Sequence, residues 1–157
     1  MAKKIKIAID SGHGSNTSGK RHPDGYREHY SNTYTAFYLD QILRKNGFET
    51  LKVSWDDADV KDDADVALST RQAQIKAANC DAVISIHANA HGSGSAYTSA
   101  NGIETFYHSS NAYIKDSKKL AEAVQNQLIK GTKQTNRGVK RAALAMCNCR
   151  AINDCNY

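Results

Sequence analysis

The sequence predicts an α/β fold, in the form of a single-domain three-layer sandwich with a mostly parallel twisted sheet and helices on both faces. Three observations support this prediction. Short segments rich in isoleucine and valine alternate with longer amphipathic segments, an order typical of strands joined by crossover helices. The chain has 157 residues, a length that suits one domain. It shows no internal repeat and no linker-like segment, so we expect residues 1–157 to form one domain.

Three strands and two helices are predicted in the first 90 residues. Short apolar runs bounded by polar residues or glycine predict strands at residues 4–9, 48–53 and 82–86. Residues 68–78 have helical spacing, with Leu68 and Ile75 as apolar positions and Asn79 as a left-handed cap.

The longest predicted helix begins at residue 28 or 31 and ends at residue 46, where Gly47 suits the carboxyl-terminal cap. Large apolar and aromatic residues recur along it at helical spacing: Tyr30, Tyr34, Phe37, Tyr38, Leu39, Ile42 and Leu43. We expect this stripe to pack on the sheet.

The later part of the chain predicts one more strand and one more helix. After a loop rich in glycine, serine and asparagine at 91–102, residues 103–107 are expected to form a strand. Residues 116–131 predict a helix with a stripe of three apolar residues, Leu120, Val124 and Leu128.

Two of the predicted strands are followed by a histidine. His13 lies in Asp10-Ser11-Gly12-His13-Gly14 after the first strand, and His87 follows the strand at 82–86. Ligands of open α/β sheets gather at the carboxyl ends of strands, so we expect the two imidazoles to lie close together. Glu28 lies at the start of a predicted helix, where the helix dipole alone explains a carboxylate. Two imidazoles and one carboxylate are also the protein ligands of a catalytic zinc ion.

Other charged and sulfur-containing residues favour simpler interpretations. Six aspartates lie between residues 56 and 65, but the spacing of an EF-hand is absent, so we expect a solvated acidic loop. The four cysteines, Cys80, Cys147, Cys149 and Cys155, fit no common zinc pattern, so we expect reduced, partly buried thiols. The net charge of +5 suits anionic polymers. No nucleic-acid recognition motif accompanies it, so we expect no nucleic-acid partner.

The chain resembles the zinc-dependent N-acetylmuramoyl-L-alanine amidases of the type-3 cell-wall family, found among autolysins and phage endolysins. Six ordered segments carry the resemblance, nearly from end to end: Asp10-Ser11-Gly12-His13-Gly14, Glu28 with Asn32, Leu68 with Arg71 and Ala78-Asn79, Ser85-Ile86-His87-Ala88-Asn89, Gly102-Ile103-Glu104-Thr105-Phe106-Tyr107, and Asn136-Arg137-Gly138-Val139-Lys140.

This resemblance implies that His13, Glu28 and His87 bind Zn²⁺ and that the substrate is the amide between N-acetylmuramic acid and L-alanine in peptidoglycan. Glu104 lies in a family strand motif without being a ligand, so we interpret it as structural or groove-lining. The family also uses a second glutamate near the carboxyl end for proton transfer. No glutamate follows Glu122 in this sequence, and we expect the catalytic glutamate, with its strand, to lie beyond Tyr157.

The alternatives are a zinc- and peptidoglycan-binding module with impaired catalysis and a zinc peptidase that cuts stem peptides. No apolar run is long enough to span a membrane, and the first residues lack a signal-peptide core. We therefore expect a monomer made in the cytoplasm without an evident signal peptide, with no membrane partner, that acts on the bacterial cell wall.

Overall fold

The computed structural model describes residues 3–18, 21–56, 61–89 and 95–149. The described chain divides into two compact units, one formed by residues up to 98 together with 149 and one formed by residues 99–148. The first unit contains the elements β1 (Lys6–Ser11), α1 (Glu28–Lys45), β2 (Glu49–Val53), α2 (Leu68–Ala77) and β3 (Ala82–Ile86). The second contains β4 (Ile103–His108), α3 (Ile114–Gly131), β5 (Asn136–Ala142) and a 3-10 turn at Met146–Asn148.

The first unit is built on a three-stranded parallel sheet in the order β2-β1-β3. Strand β1 is central, and its register places Ile7 beside Ala82 and Ser11 beside Ile86. Five of its six residues are buried, as expected for a parallel strand that is covered on both faces. Its carboxyl end and that of β3 therefore lie at the same edge of the sheet.

Helices α1 and α2 contact opposite faces of β1. Ile7 and Ile9 pack with Ala36 of α1 in the main hydrophobic cluster. Asp10 points to the other face, because side chains alternate along a strand, and there it meets Arg71 of α2. The first unit thus has the predicted arrangement of helices on both faces of a parallel sheet.

The second unit is a βαβ arrangement. Strands β4 and β5 pair in parallel, with a register shift between Ile103 and Glu104. The side chain of Gln125 on α3 donates to the carbonyl of Ile103 and to Asn136, and accepts from Thr105. These contacts fasten α3 to both strands. Together the elements confirm a mixed α/β fold with parallel strands and helices. No helix within the described ranges is long and apolar enough to cross a membrane.

All the predicted strands and helices are present, and one strand of the described ranges, β5, was not predicted. Strand β3 has the predicted bounds, and the left-handed conformations of Gly47 and Asn79 confirm their capping positions. Strand β1 continues two residues beyond the predicted end because Asp10 and Ser11 still pair with β3. Strand β5 was missed because its charged residues and Gly138 show no apolar alternation.

The predicted apolar stripes were partly wrong. On α1, Tyr34, Tyr38 and Ile42 are exposed. The buried side chains of that helix are mostly polar: Glu28, His29, Asn32, Thr33, Ala36 and Asp40. Leu68 of α2 is exposed, as are Leu120 and Leu128 of α3. Tertiary contacts made by polar side chains rotate these helices away from the orientation that hydrophobic spacing predicts.

The acidic loop is also less solvated than predicted, within its described part. The carboxylate of Asp63 is only 10% exposed and lies 3.3 Å from Nε2 of His29. Asp65 pairs with Arg71. Residues 57–60 lie outside the described ranges, as does Cys155. Cys80 and Cys147 are free thiols, and Cys80 is buried, as expected.

The orientations of α1 and α2 predict that truncating two helical isoleucines lowers the free energy of unfolding by different amounts. Ile75 is completely buried whereas Ile42 is 59% exposed, and both lie in helices. We expect Ile75→Ala to lower the free energy of unfolding by about 2–5 kcal/mol and Ile42→Ala to change it by less than about 0.5 kcal/mol. Urea denaturation measures both values. Similar losses for the two variants would contradict the orientation described here.

Asp81 predicts an acid-dependent contribution to stability. Its carboxylate accepts from Nζ of Lys3 at 2.7 Å and from the backbone N–H of Lys6 at 2.8 Å. These hydrogen bonds lower the pKa of Asp81. A carboxylate with a lowered pKa stabilises the fold above its unfolded pKa of about 4, and the contribution disappears as the pH falls through the folded pKa.

We therefore expect the destabilisation caused by Asp81→Asn to be largest near neutral pH and to shrink as the pH is lowered from about 6 to about 2. Unfolding curves at several pH values measure this difference. The exposed Asp62 gives a matched control in Asp62→Asn. The same pH dependence for both substitutions would argue against the role of Asp81.

Candidate metal centre

Three side chains of metal-ligand type meet in the first unit. Oε1 of Glu28 lies 3.1 Å from Nδ1 of His87 and 3.5 Å from Nε2 of His13. The two imidazole rings are perpendicular, with centroids 4.9 Å apart. One ligand atom from each of the three residues lies within 4.8 Å of the others. The structure therefore brings together the three residues predicted from the sequence.

The sheet and α1 deliver these side chains from three separate parts of the chain. Ser11 and Ile86 are neighbours in the sheet, and the backbone N–H of Gly12 donates to the carbonyl of Ile86 at 2.9 Å. His13 and His87 follow within two residues of this pair. His13 has a φ of 66°, a left-handed conformation that is uncommon in residues other than glycine.

Glu28 is the most buried member of the cluster. Its side chain is 4% exposed, against 21% for His13 and 38% for His87. Burial raises the pKa of Glu28, but the hydrogen bond with His87 and the nearby charges of the two imidazoles outweigh burial and lower the pKa overall. Glu28 is therefore a carboxylate at neutral pH, which is the form that binds a cation.

Asn32 supports the cluster one helical turn after Glu28. Its Nδ2 donates to the carbonyl of Gly12 at 3.0 Å, which holds α1 against the segment that carries His13. A hydrogen bond between Asn32 and Glu28 also helps to lower the pKa of that carboxyl. The amide oxygen of Asn32 is buried and has no hydrogen-bond partner within the part of the chain that the structure describes.

His29 was not assigned a role from the sequence, although it follows Glu28 directly. It is 1% exposed, and its ring nitrogens lie 3.4 Å from Oγ of Ser11 and 3.2 Å from Oγ1 of Thr33. Consecutive helical residues point about 100° apart, so His29 faces the sheet and the acidic loop. It does not belong to the metal-ligand cluster. In the sequence, only its position next to Glu28 indicated that His29 lies near the cluster.

Glu104 lies in the second unit, on β4. Its carboxylate accepts from Nε of Arg137 at 3.0 Å and also pairs with Lys140, both on β5. The hydrogen bond from Lys140 is the largest cause of a lowered pKa for Glu104. These contacts join the two paired strands, and the expectation that Glu104 is structural or groove-lining stays a prediction.

Comparison with known proteins identifies the family. Residues 7–154 match the family model described as N-acetylmuramoyl-L-alanine amidase. The chain is 34% identical over 138 residues to the N-acetylmuramoyl-L-alanine amidase LytC of Bacillus subtilis strain 168, covering 87% of this chain and 25% of LytC. It is 30% identical over 136 residues to the protein YqiI of the same organism, covering 87% of this chain and 60% of YqiI. The chain thus spans less than two thirds of either relative.

A solved structure agrees with this assignment. The N-acetylmuramoyl-L-alanine amidase of Clostridium difficile 630 is 26% identical and superposes with a TM-score of 0.76, over 97% of this chain and 76% of that one. The resemblance expected from the six sequence segments is confirmed. This chain belongs to the N-acetylmuramoyl-L-alanine amidase family of cell-wall hydrolases.

Proposed function

We propose that this chain is a zinc-dependent amidase that hydrolyses the bond between N-acetylmuramic acid and L-alanine in peptidoglycan. The observation that carries the proposal is the cluster of His13, Glu28 and His87, within a chain of this family. Two neutral imidazoles and one carboxylate form a donor set typical of catalytic zinc sites. Zinc rather than another divalent metal is therefore the ion that we propose.

The surroundings of the cluster fit a bound metal ion. A Cβ on Gly12 would lie 2.3 Å from Cε1 of His87, so only glycine leaves room for the imidazole in its present position. The amide oxygen of Asn32 is buried without a partner among the described residues. It provides a hydrogen-bond acceptor beside Glu28 for a ligand that carries a donor, such as water.

Each residue of the cluster has a separable task. When bound, zinc supplies a Lewis acid for an amide carbonyl and makes water nucleophilic at neutral pH. Glu28 contributes a buried negative charge, and its Oε1 lies 3.1 Å from Nδ1 of His87, so the two side chains are within reach of one ion. His13 and His87 are partly exposed, so a polymer in solution reaches the cluster from the side of the imidazoles.

Proton transfer to the leaving amine requires a group in addition to the three proposed ligands. General acid–base groups contribute about 10²- to 10⁴-fold to rate, and the sequence includes no glutamate after Glu122. A second candidate function is a zinc- and peptidoglycan-binding module with little turnover. A third candidate, a zinc peptidase, would use the same ligands on stem peptides. We also predict that the protein is made in the cytoplasm and acts on the cell wall as a monomer.

The products distinguish the three candidates. An amidase releases intact stem peptides with new amino-terminal alanine from purified peptidoglycan, whereas a peptidase releases amino acids or cuts crosslinks. A binding module sediments with insoluble peptidoglycan without either product. New amino-terminal alanine, measured by end-group labelling and mass spectrometry, is the result expected from our proposal.

Glu28 gives the first prediction for the metal. We expect the purified wild-type chain to bind one zinc ion and Glu28→Ala to lose stoichiometric zinc together with wall-lytic activity. Glu122→Ala is a matched control, since Glu122 is an exposed helical glutamate outside the cluster. Metal analysis after dialysis measures the zinc content. Full zinc content and activity in Glu28→Ala would show that the ligand assignment is wrong.

Gly12 gives a steric prediction. Gly12→Ala should displace the imidazole of His87 and weaken zinc binding, because the new Cβ and the ring cannot occupy the same space. Gly131→Ala, at the end of α3, meets nothing within 4 Å and should leave zinc binding unchanged. Competition titration with a chromophoric chelator compares the two variants. Equal zinc affinity in both would argue that His87 is not a ligand in this position.

A further inference from the structure

Arg71 is a buried cation beside the proposed metal site. Its side chain is 2% exposed, although arginine is rarely buried without a specific reason. An arginine side chain carries five N–H donors. Five hydrogen bonds use all of them here: Nε to the carbonyl of Val66 at 2.7 Å, Nη1 to Asp10 at 2.8 Å and to the carbonyl of Ser11 at 2.7 Å, and Nη2 to the carbonyl of His13 at 3.0 Å and to Asp65 at 2.7 Å.

Two of these acceptors belong to the segment that delivers the first metal ligand. Arg71 binds the carbonyls of Ser11 and His13, and Asn32 binds the carbonyl of Gly12 between them. Three consecutive carbonyls are thus held by side chains from two helices. His13 has the left-handed φ of 66°, a conformation that persists only where the surroundings determine it. The contact from Arg71 to the His13 carbonyl is one such determinant.

Two carboxylates balance and align the guanidinium. Asp10 is completely buried, and its second oxygen accepts from Oγ of Ser85 at 2.5 Å, on the strand that leads to His87. The charge network therefore joins the strands that carry both imidazoles. A buried cation requires such pairing, because removing one partner leaves an uncompensated charge.

Asp65 connects the same guanidinium to the loop after His13. Its Oδ2 accepts from Oγ1 of Thr17 at 2.6 Å, and its backbone N–H donates to Oδ1 of Asn16 at 2.8 Å. Oγ1 of Thr17 in turn accepts from the backbone N–H of Gly14. A Cβ on Gly14 would lie 2.1 Å from the backbone nitrogen of Asp65, so the two loops are in close contact. The loop is thereby held on both sides of His13.

We propose that Arg71 is a positioning residue of the metal centre, whose guanidinium, aligned by Asp10 and Asp65, fixes the backbone of the His13 loop in the conformation that binds metal. This inference rests on the proposed metal site. It adds Asp65, from the acidic loop, to the residues that support that site. Arg71 has no direct contact with the metal in this proposal. Its effect is on the geometry of His13 and hence on metal affinity.

Two variants test whether Arg71 acts by positioning the His13 loop or only through its positive charge. Arg71→Lys keeps a buried positive charge near Asp10, but an ammonium group has three donors and cannot bridge all five acceptors. Asp65→Asn removes a carboxylate that is 40% exposed, so it tests the same network with a smaller effect on folding. Changes in residues that orient metal ligands typically weaken metal binding by about ten- to a hundredfold. We expect a loss of zinc affinity in this range for both variants.

The control is a buried carboxylate network away from the site. Asp40 is 6% exposed and pairs with Arg44 and Thr50. It lies twelve residues after Glu28 on the same helix, which corresponds to about 18 Å. Asp40→Asn should lower the free energy of unfolding without changing zinc affinity. An effect of Asp40→Asn on zinc affinity as large as that of Asp65→Asn would overturn the positioning role.

Zinc dissociation constants are measured by chelator competition on samples that far-ultraviolet circular dichroism shows to be folded. The visible absorption spectrum of the cobalt-substituted protein adds a readout of ligand geometry that loss of stability alone does not alter. We expect an altered cobalt spectrum for Arg71→Lys and Asp65→Asn and a wild-type spectrum for Asp40→Asn. Wild-type zinc affinity and cobalt spectrum in Asp65→Asn would overturn the inference, even if Arg71→Lys does not fold.

The wild-type protein and Glu28→Ala distinguish this result from failure of the proposed function. If the wild type binds no zinc, or Glu28→Ala binds it as tightly, the metal site itself is wrong. If the wild type binds zinc through Glu28 and both network variants match its affinity, only the positioning role of Arg71 is wrong.

Discussion

The register between β1 and β3 is the constraint on which the rest of the candidate site depends. Because Ser11 lies beside Ile86, the chain leaves both strands at the same edge of the sheet, and His13 and His87 follow within two residues. A slip of one residue would turn every β1 side chain to the opposite face. Asp10 would then lose Arg71, and Ile9 would leave the cluster that it forms with α1. Backbone pairing, more than attraction between ligands, therefore places the two imidazoles together.

Helix α1 supplies Glu28, the third member of the cluster, and is anchored by two different kinds of contact. Ala36 and Phe37, in its middle, pack against the apolar face of β1. Its first turns instead bury Glu28, His29 and Asn32, which gain little from the hydrophobic effect and require specific partners. The apolar anchor fixes the helix, and the hydrogen bond from Asn32 to Gly12 fixes its start. The position of Glu28 thus depends on packing that occurs eight and nine residues further along the same helix.

The sequence predicts the strands that end at the site better than the helix faces around it. Apolar runs bounded by polar residues identified β1 and β3, and the histidines after them were recognisable because a parallel sheet brings its strand ends together. The support of the site was less visible. Arg71 is distant from His13 in sequence, and nothing in its local pattern shows that it bonds the His13 carbonyl. Strand β5 was hidden because Gly138, with a φ of 78°, and the neighbouring charges interrupt any alternation.

The errors in the helix faces are themselves informative. Hydrophobic spacing placed Tyr34 and Tyr38 on the sheet, whereas α1 turns Glu28 and Asn32 inward. A buried polar face alone does not indicate a site, because Gln125 on α3 is equally buried and uses its amide only to join β4, α3 and β5. The two helices differ in the chemistry of what they bury. Gln125 has partners for its donors and its acceptor. Glu28 instead is a carboxylate beside two imidazoles, and the buried amide oxygen of Asn32 has no partner among the described residues. A buried helix face whose hydrogen-bonding groups are not all paired among the described residues favours binding of a ligand. Helix α1 has such a face at the edge of the sheet where β1 and β3 end.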